Sequence, residues 1–335
     1  MKVNNYDKHI VFSISSSWLM QVCVLITSIL HCNREVFTFH IIGKELSEDE
    51  ISKIQKYAKN CPVIYHDIGK IDTSDFIIRE GDHVSIETYF RFFIPDLLEN
   101  NIRKCLYLDC DIVCVNNFEK LFEEKLEDYA AGMVYDAFYS DIRYYNRLQY
   151  NVCDGYFNAG VLLINLDYWR KNNISKRLIT FVNEYPEKCW FHDQDAINFI
   201  CRGKILSLKV SYNVQNVFFR VFAWKNPKGY PVRVLKSDWI ARDKWNEIEE
   251  GCNNPVFVHF LGPKKPWKKD SFIPFVKIWR FFLSQTEFRM SFQMKTRLKL
   301  FLKKLIKKEV DNYKYPPESY EIENKVFLKL KIRVQ

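Results

Sequence analysis

The stretch Leu106-Tyr107-Leu108-Asp109-Cys110-Asp111-Ile112-Val113-Cys114-Val115 constrains this chain most tightly. Apolar residues close in from both sides on two carboxylates spaced i and i+2. Side chains two apart on an extended segment face the same way, so Asp109 and Asp111 aim at one point at the end of a strand. Like charges held that close repel each other and call for a positive partner between them. A hard divalent cation carrying phosphate fits, because Mg²⁺ and Mn²⁺ take carboxylate oxygens together with substrate phosphate. The bland alternative is a strand end with two solvated acids, since Asp-x-Asp is short and common. The rest of the chain decides between the two.

Upstream the pattern alternates strand and helix. His9 to Ile14 reads as a buried strand, Ser15–Ser17 as a loop and Trp18 to Leu30 as a helix. Phe37–Gly43 is a second strand. Ser47 to Lys59 is a helix, with Ser47 and Glu50 as a capping box and Ile51 and Ile54 on its apolar face. Pro62–Ile68 is a third strand. This order predicts a doubly wound α/β sheet, which binds ligands beyond the carboxyl ends of its strands. The uncharged run Ile10–Leu30 also has the length of a signal anchor. Its serines, Ser13, Ser15, Ser16 and Ser17, cluster where a membrane span is most apolar, which favours strand, loop and helix. Residues 70–83 read as a loop and Ser85–Leu98 as a helix carrying Thr88, Tyr89 and Arg91. A lone arginine on a helix is ordinarily solvated or salt-bridged.

Downstream, Ala130–Val134 reads as a strand, and Tyr135–Asn151 is aromatic, polar and without clear period, as a lid or substrate loop is. In Tyr156-Phe157-Asn158-Ala159-Gly160-Val161, a small residue enters a buried strand, Val161–Ile164, where backbone or ligand must come close. Phe191–Ile197 opens a helix. Asp193 or Asp195 there favours a helix N-terminus, or Asp193 and Gln194 point a carboxylate and an amide at a polar substrate. The strand from Val256 ends near His259, a histidine that is more often structural than a ligand. As a third ligand it would complete an Asp–Asp–His set, and Lys265 would meet the charge of a phosphate.

Composition is that of a globular protein of 335 residues, 47% hydrophobic and 27% charged. Aromatics at 16% supply a Phe-rich core or stacking surfaces for sugars or bases. The ten Cys include no Cys-x-x-Cys, which argues against a zinc knuckle or a compact disulfide framework. Cys105, Cys110 and Cys114 read as buried thiols of a reducing compartment. The net charge of +9 concentrates late: Arg289–Lys308 holds eight Lys or Arg and no acid, interleaved with Leu298, Leu300, Phe301, Leu302, Leu305 and Ile306. Such a basic amphipathic segment suits an anionic membrane surface. A nucleic-acid patch is the weaker reading, and a helix packed on the domain the bland one. Val310–Gln335 carries no pattern that assigns it.

Four segments together resemble the family 8 glycosyltransferases, the retaining bacterial galactosyl- and glucosyltransferases of lipopolysaccharide and related glycans, with glycogenin a distant relative. They are Thr88-Tyr89-Phe90-Arg91-Phe92, Leu106–Asp111, Tyr156–Asn165 and His259-Phe260-Leu261-Gly262-Pro263-Lys264-Lys265-Pro266-Trp267, in the family's order and spacing. The resemblance runs from Ile10 to Trp267. It implies a GT-A fold, a Rossmann-like mixed sheet, with UDP-galactose or UDP-glucose as donor and Mn²⁺ or Mg²⁺ as cofactor. By the same resemblance Asp109, Asp111 and His259 are the metal ligands, Lys265 and the Gly262 backbone meet the diphosphate, and Arg91, Asp193 and Gln194 hold the donor sugar beside Asn158. Gln194 occupies the position nearest the anomeric carbon's far face. Where the family has an acid that reads uracil, this chain has Ser15, Ser16 and Ser17, followed by Trp18. Ser15 and Ser17 can still hydrogen-bond a uracil edge, and Trp18 can stack on it.

The expected organisation is therefore a catalytic domain over 1–283 and a basic membrane-association region over 284–335. The expected enzyme extends a glycan or lipid-linked acceptor at the inner face of the bacterial inner membrane, as a peripheral cytoplasmic protein with no nucleic-acid partner. Residues 135–151 and Asn213–Trp245 are expected to shape the acceptor site. Two rivals stand beside it. Asp109-Cys110-Asp111-Ile112-Val113 also resembles the Asp-x-Asp-x-Val of haloacid-dehalogenase-like phosphatases, although that motif opens its fold and here follows a long patterned stretch. A non-catalytic glycan- or membrane-associated binding protein of the same fold is the other, with the serine run in its favour.

Overall fold

Alternation along the central strands sends successive side chains to opposite faces of a sheet. Ile10, Phe12, Ile14, Leu106 and Leu108 join one buried cluster, while Val11, Cys105 and Tyr107 join the cluster on the other side. Strands buried on both faces read as near-continuous apolar runs, which is why these segments show so little polar alternation. The computed structural model describes residues 8–69, 76, 86–221, 244–269, 271, 273–289 and 317–332.

In chain order the strands are β1 (His9–Ile14), β2 (Thr38–Gly43), β3 (Val63–Asp67), β4 (Lys104–Leu108), β5 (Ile112–Cys114), β6 (Ala131–Tyr135), β7 (Phe157–Asn165), β8 (Ile205–Ser207), β9 (Val214–Gln215) and β10 (Phe257–His259). The helices are α1 (Leu19–Cys32), α2 (Glu48–Ala58), α3 (Ile94–Leu97), α4 (Ile142–Leu148), α5 (Leu166–Lys171), α6 (Ile174–Glu184), α7 (Asp193–Ile200), α8 (Trp245–Asn253), α9 (Val276–Leu283) and α10 (Pro317–Ile332). Seven strands form one sheet in the order β3-β2-β1-β4-β7-β6-β8, and β5-β10-β9 form a second. In the large sheet β3, β2, β1 and β4 run parallel, and β7 lies antiparallel to β4 and β6. This is the mixed, doubly wound arrangement expected.

The uncharged run near the start of the chain is a strand and a buried helix, as its serines indicated. Ser28 Oγ donates to Leu25 O and accepts from the Cys114 amide, so it ties α1 to β5. No described helix is long and apolar enough to cross a membrane. The Ser47–Glu50 capping box forms as expected. All ten cysteines are free thiols, and only Cys153 is exposed.

Three expectations need correction. The segment read as a helix over Ser85–Leu98 is a 3-10 helix, Ile86–Phe93, followed by one turn of α-helix, α3. Pro95 is the reason: in a continuous α-helix its ring would meet the carbonyl of Arg91. The two acids do stand at the end of a strand, but the segment between them is a turn and not extended: β4 ends at Leu108 and β5 begins at Ile112 in the other sheet. The Asp109 amide bonds Gly160 O on β7, whereas Asp111 O accepts from the Phe260 amide. The two carboxylates thus mark the point where the chain changes sheets. The loop read over Tyr135–Asn151 contains α4, capped by Asp141, whose carboxylate accepts the Arg143 amide. Its tyrosines are weak helix formers, which hid it. The basic segment Arg289–Lys308 lies outside the described residues from position 290 on, as do most of residues 70–85 and all of 222–243. The unassigned C-terminus contains α10, whose Ile322 and Leu330 enter the main core.

Candidate active site

At the carboxyl end of β4, the only cluster among the described residues able to hold a metal ion is Asp109, Asp111 and His259, whose ligand atoms lie within 4.8 Å of one another. His259, at the end of β10, points Nε2 at Asp111 Oδ1 (3.1 Å) and Asp109 Oδ2 (3.8 Å). Its other nitrogen settles the tautomer. The Gly160 amide donates to Asn158 Oδ1 at 3.1 Å, so that atom is the carbonyl oxygen. Asn213 Nδ2 donates to the same oxygen at 2.8 Å. Asn213 Oδ1 therefore faces His259 Nδ1 at 3.1 Å, and Nδ1 carries the proton. The Nε2 lone pair is left to a metal, the arrangement that orients metal-binding histidines.

Gly160 completes the cradle. A Cβ there would lie 2.2 Å from His259 Cε1 and 3.0 Å from Asp109 Oδ2, so only glycine lets β7 pass this close. Two carboxylates and one imidazole form a donor set that suits Mn²⁺ and Mg²⁺. Burial pushes the Asp111 carboxyl up, but the opposing influences, of which the Lys265 ammonium is the largest, hold it well below the usual carboxylate range. Lys265 Nζ contacts Asp111 Oδ2 and donates to Phe260 O at 2.6 Å. Gly262 sits at φ 76°, a left-handed conformation that favours glycine, and a Cβ there would meet nothing within 4 Å.

Arg91 lies beneath the acids and is buried. Its guanidinium donates to Asp109 Oδ1 (2.8 Å), Ala159 O (2.6 Å) and Thr88 O (2.9 Å), and pairs with Asp193 Oδ2 (3.0 Å). It stacks 4.2 Å over the Tyr107 ring, and Tyr107 in turn donates to Asp109 Oδ1 at 3.0 Å. Burial opposes its charge, but Asp109 and Asp193 push its pKa further up. Arg91 thus joins the first acid to Asp193 at the start of α7.

Gln194, next in sequence, faces inward. Its Oε1 accepts from Asn158 Nδ2 (3.1 Å) and the Ala159 amide (3.0 Å), and its Nε2 donates to Asp136 Oδ2 (3.2 Å) and Tyr156 OH (3.2 Å). Asp136 is a residue that the sequence reading missed. It follows β6 directly and accepts from Asn158 as well as Gln194. Burial pushes its carboxyl up against these donors. The signal was a carboxylate just past a strand end, the same signal that picked out Asp109. Also unanticipated is Arg147 on α4, which pairs with buried Asp195. Burial lifts the Asp195 carboxyl to about 6 despite that partner.

Arg91, Asp109, Asp111, Asn158, Asp193, Gln194, His259 and Lys265 are thus brought into one connected cluster. Ser15, Ser17 and Trp18 lie beside it rather than in it. Ser15 Oγ and Ser17 Oγ bond each other at 3.0 Å on the surface. Trp18 meets the edge of Trp267, at 5.5 Å between centroids, two residues beyond Lys265.

The sequence profile of glycosyl transferase family 8 matches residues 9–271. General stress protein A of Bacillus subtilis is 32% identical over 214 residues, 62% of this chain and 68% of that protein. Lipopolysaccharide glucosyltransferase WaaO of Escherichia coli is 28% identical, over 80% of this chain and 74% of that one. Glycosyltransferase GlyA of Streptococcus pneumoniae is 28% identical over 82% of this chain, which spans only 34% of GlyA's length. Among solved structures, the galactosyltransferase LgtC with donor and acceptor sugar analogues superposes with a TM-score of 0.70 over 83% of this chain and 96% of its own, at 22% identity. The fold is GT-A. The phosphatase reading falls with these matches, and Asp109 follows the fourth strand instead of opening the fold.

Proposed function

We propose that this chain, which belongs to glycosyl transferase family 8, transfers galactose or glucose from a UDP-sugar to a glycan acceptor with retention of configuration. The observation that carries the reading is the Asp109–Asp111–His259 set, with its histidine tautomer fixed and Lys265 at its rim. Asp109, Asp111 and His259 would hold Mn²⁺ or Mg²⁺. Bound there, the cation would supply Lewis-acid chemistry that offsets charge on the departing UDP.

The chain's own residues do the rest. Lys265 and the open backbone at Gly262 receive the phosphates. Ser15, Ser17 and Trp18 border the place for the base. Arg91 and Asp193 form one ion pair below the sugar, and Asn158 holds Gln194. Both polar atoms of the Gln194 amide are engaged by neighbours, which suits a positioning role better than nucleophilic attack. In the scheme this supports, the acceptor hydroxyl attacks the face from which UDP leaves. The new C–O bond forms as the bond to the diphosphate breaks, and the leaving phosphate oxygen takes the acceptor's proton, so no dedicated base is needed. The acceptor is a saccharide or lipid-linked saccharide approaching past residues 135–151. We assign catalysis to 1–283 and contact with an anionic membrane, from the cytoplasmic side, to the basic part of 284–335.

The test is UDP release from the full chain across a panel of UDP-sugars, with Mn²⁺ or with EDTA. Metal-dependent hydrolysis or transfer of one hexose is expected. Turnover that is equal in EDTA, or confined to a phosphate monoester, would overturn the proposal.

A further inference from the structure

Helix α9 begins without a cap of its own. Phe275 stands at its N-cap with φ 67° and a side chain that accepts no hydrogen bond. The acceptor comes from α10 instead: Glu323 Oε1 takes the Lys277 amide at 2.8 Å. This carboxylate is only 5% exposed. A helix start left buried without such an acceptor loses a capping interaction.

From α9 the contacts pass directly to the loop after His259. Arg280 Nη2 donates to Lys268 O (3.1 Å) and Lys269 O (3.4 Å). Trp279 packs against Trp267, with ring centroids 5.6 Å apart. The Lys268 amide returns to Lys265 O at 3.0 Å. Lys265 is the residue on Asp111. Meanwhile α10 is held at points other than Glu323. His31 Nε2 bonds Leu330 O at 3.1 Å, Leu330 is buried, and Phe327 meets Phe281 edge-on at 5.5 Å. Loss of the one carboxylate therefore leaves α10 docked.

We propose that Glu323 is a positioning residue for the donor-phosphate loop. It caps α9 from the C-terminal helix, and α9 holds residues 263–269 so that Lys265 stays over Asp111. This rests on the donor site proposed above. It gives the C-terminal helix a function in the reaction, reached through α9, separate from any contact with a membrane.

The experiment compares the full-length wild type with Glu323→Ala and Glu323→Gln. Glutamine keeps a carbonyl acceptor for the Lys277 amide and is the conservative variant. In Glu323→Ala, amide hydrogen exchange should rise over 263–269 as well as at the start of α9, while β1 and β4 stay unchanged. The KM for the UDP-sugar should rise on the order of tenfold, with kcat within about twofold. Glu323→Gln should restore most of both. Exchange at 263–269 equal to wild type, or a loss spread over β1 and β4 that glutamine does not rescue, would overturn the proposal. Exchange is read without nucleotide. If the wild type binds no UDP, the donor reading fails, and the exchange comparison still decides whether Glu323 fixes the loop.

Discussion

Gly160 shows how tightly the cluster is drawn. Its missing Cβ is the space that His259 and Asp109 occupy. Gly160→Ala should lower metal-dependent UDP binding by about a hundredfold or more. Its stability cost should be of the order of 1–3 kcal/mol, as for other overpacked sites. Calorimetry beside a thermal melt checks both, and unchanged binding would refute the cradle. Asn213 acts on the same imidazole through Nδ1. Asn213→Ala should weaken Mn²⁺ binding about ten- to hundredfold, the usual cost of losing an outer partner of a metal ligand. Paramagnetic-resonance titration of Mn²⁺ reads this directly. The two residues differ in how legible they were. Gly160 stood out as a small residue entering an apolar run. Asn213 did not, because its role depends on Asn158, a residue far away in the sequence, and only the fold brings the pair together.

Among elements, the strands and their order were legible because both faces are buried and the apolar runs are long. The break at Asp109–Asp111 was not, since a change of sheet depends on partners elsewhere: Gly160 O for Asp109 and the Phe260 amide for Asp111. Of the small sheet β5-β10-β9, the strand ending at His259 was legible, whereas β5 and β9, three and two residues long, were not. One feature of β1–β3 bears on stability. His9, His40 and His66, on adjacent strands, bond in series at 2.9 Å each. Burial pushes His40 down to about 3, with His9 and His66 adding to the shift. Its folded pKa lies below the unfolded value of 6.5, so the unfolded chain binds the extra proton between the two. The neutral state's stabilisation is complete above pH 6.5 and is lost as pH falls toward 3. Relative to His40→Gln, the wild type should lose about 2–3 kcal/mol between roughly pH 6.5 and pH 4.5. Urea unfolding at the two pH values measures this, and parallel curves for the two proteins would contradict it.

At the scale of the whole molecule, the proposed attachment to an anionic membrane can be tested apart from the proposed catalysis. Net charge is +9, with eight basic residues over 289–308. The full chain should sediment with vesicles rich in anionic lipid at low salt and be released at high salt. Neutralising Lys303, Lys304, Lys307 and Lys308 to Gln should abolish sedimentation while leaving UDP binding intact. Equal sedimentation with neutral vesicles would contradict an electrostatic attachment. The proposed activity requires a cation held by Asp109, Asp111 and His259 when the donor's diphosphate binds. Calorimetric titration of UDP into the full chain, with Mn²⁺ or with EDTA and beside His259→Ala, tests this requirement. The expected result is saturable binding with Mn²⁺ that EDTA abolishes and His259→Ala weakens by at least about a hundredfold. Binding of the same strength in EDTA, or no UDP binding in any condition, would contradict it.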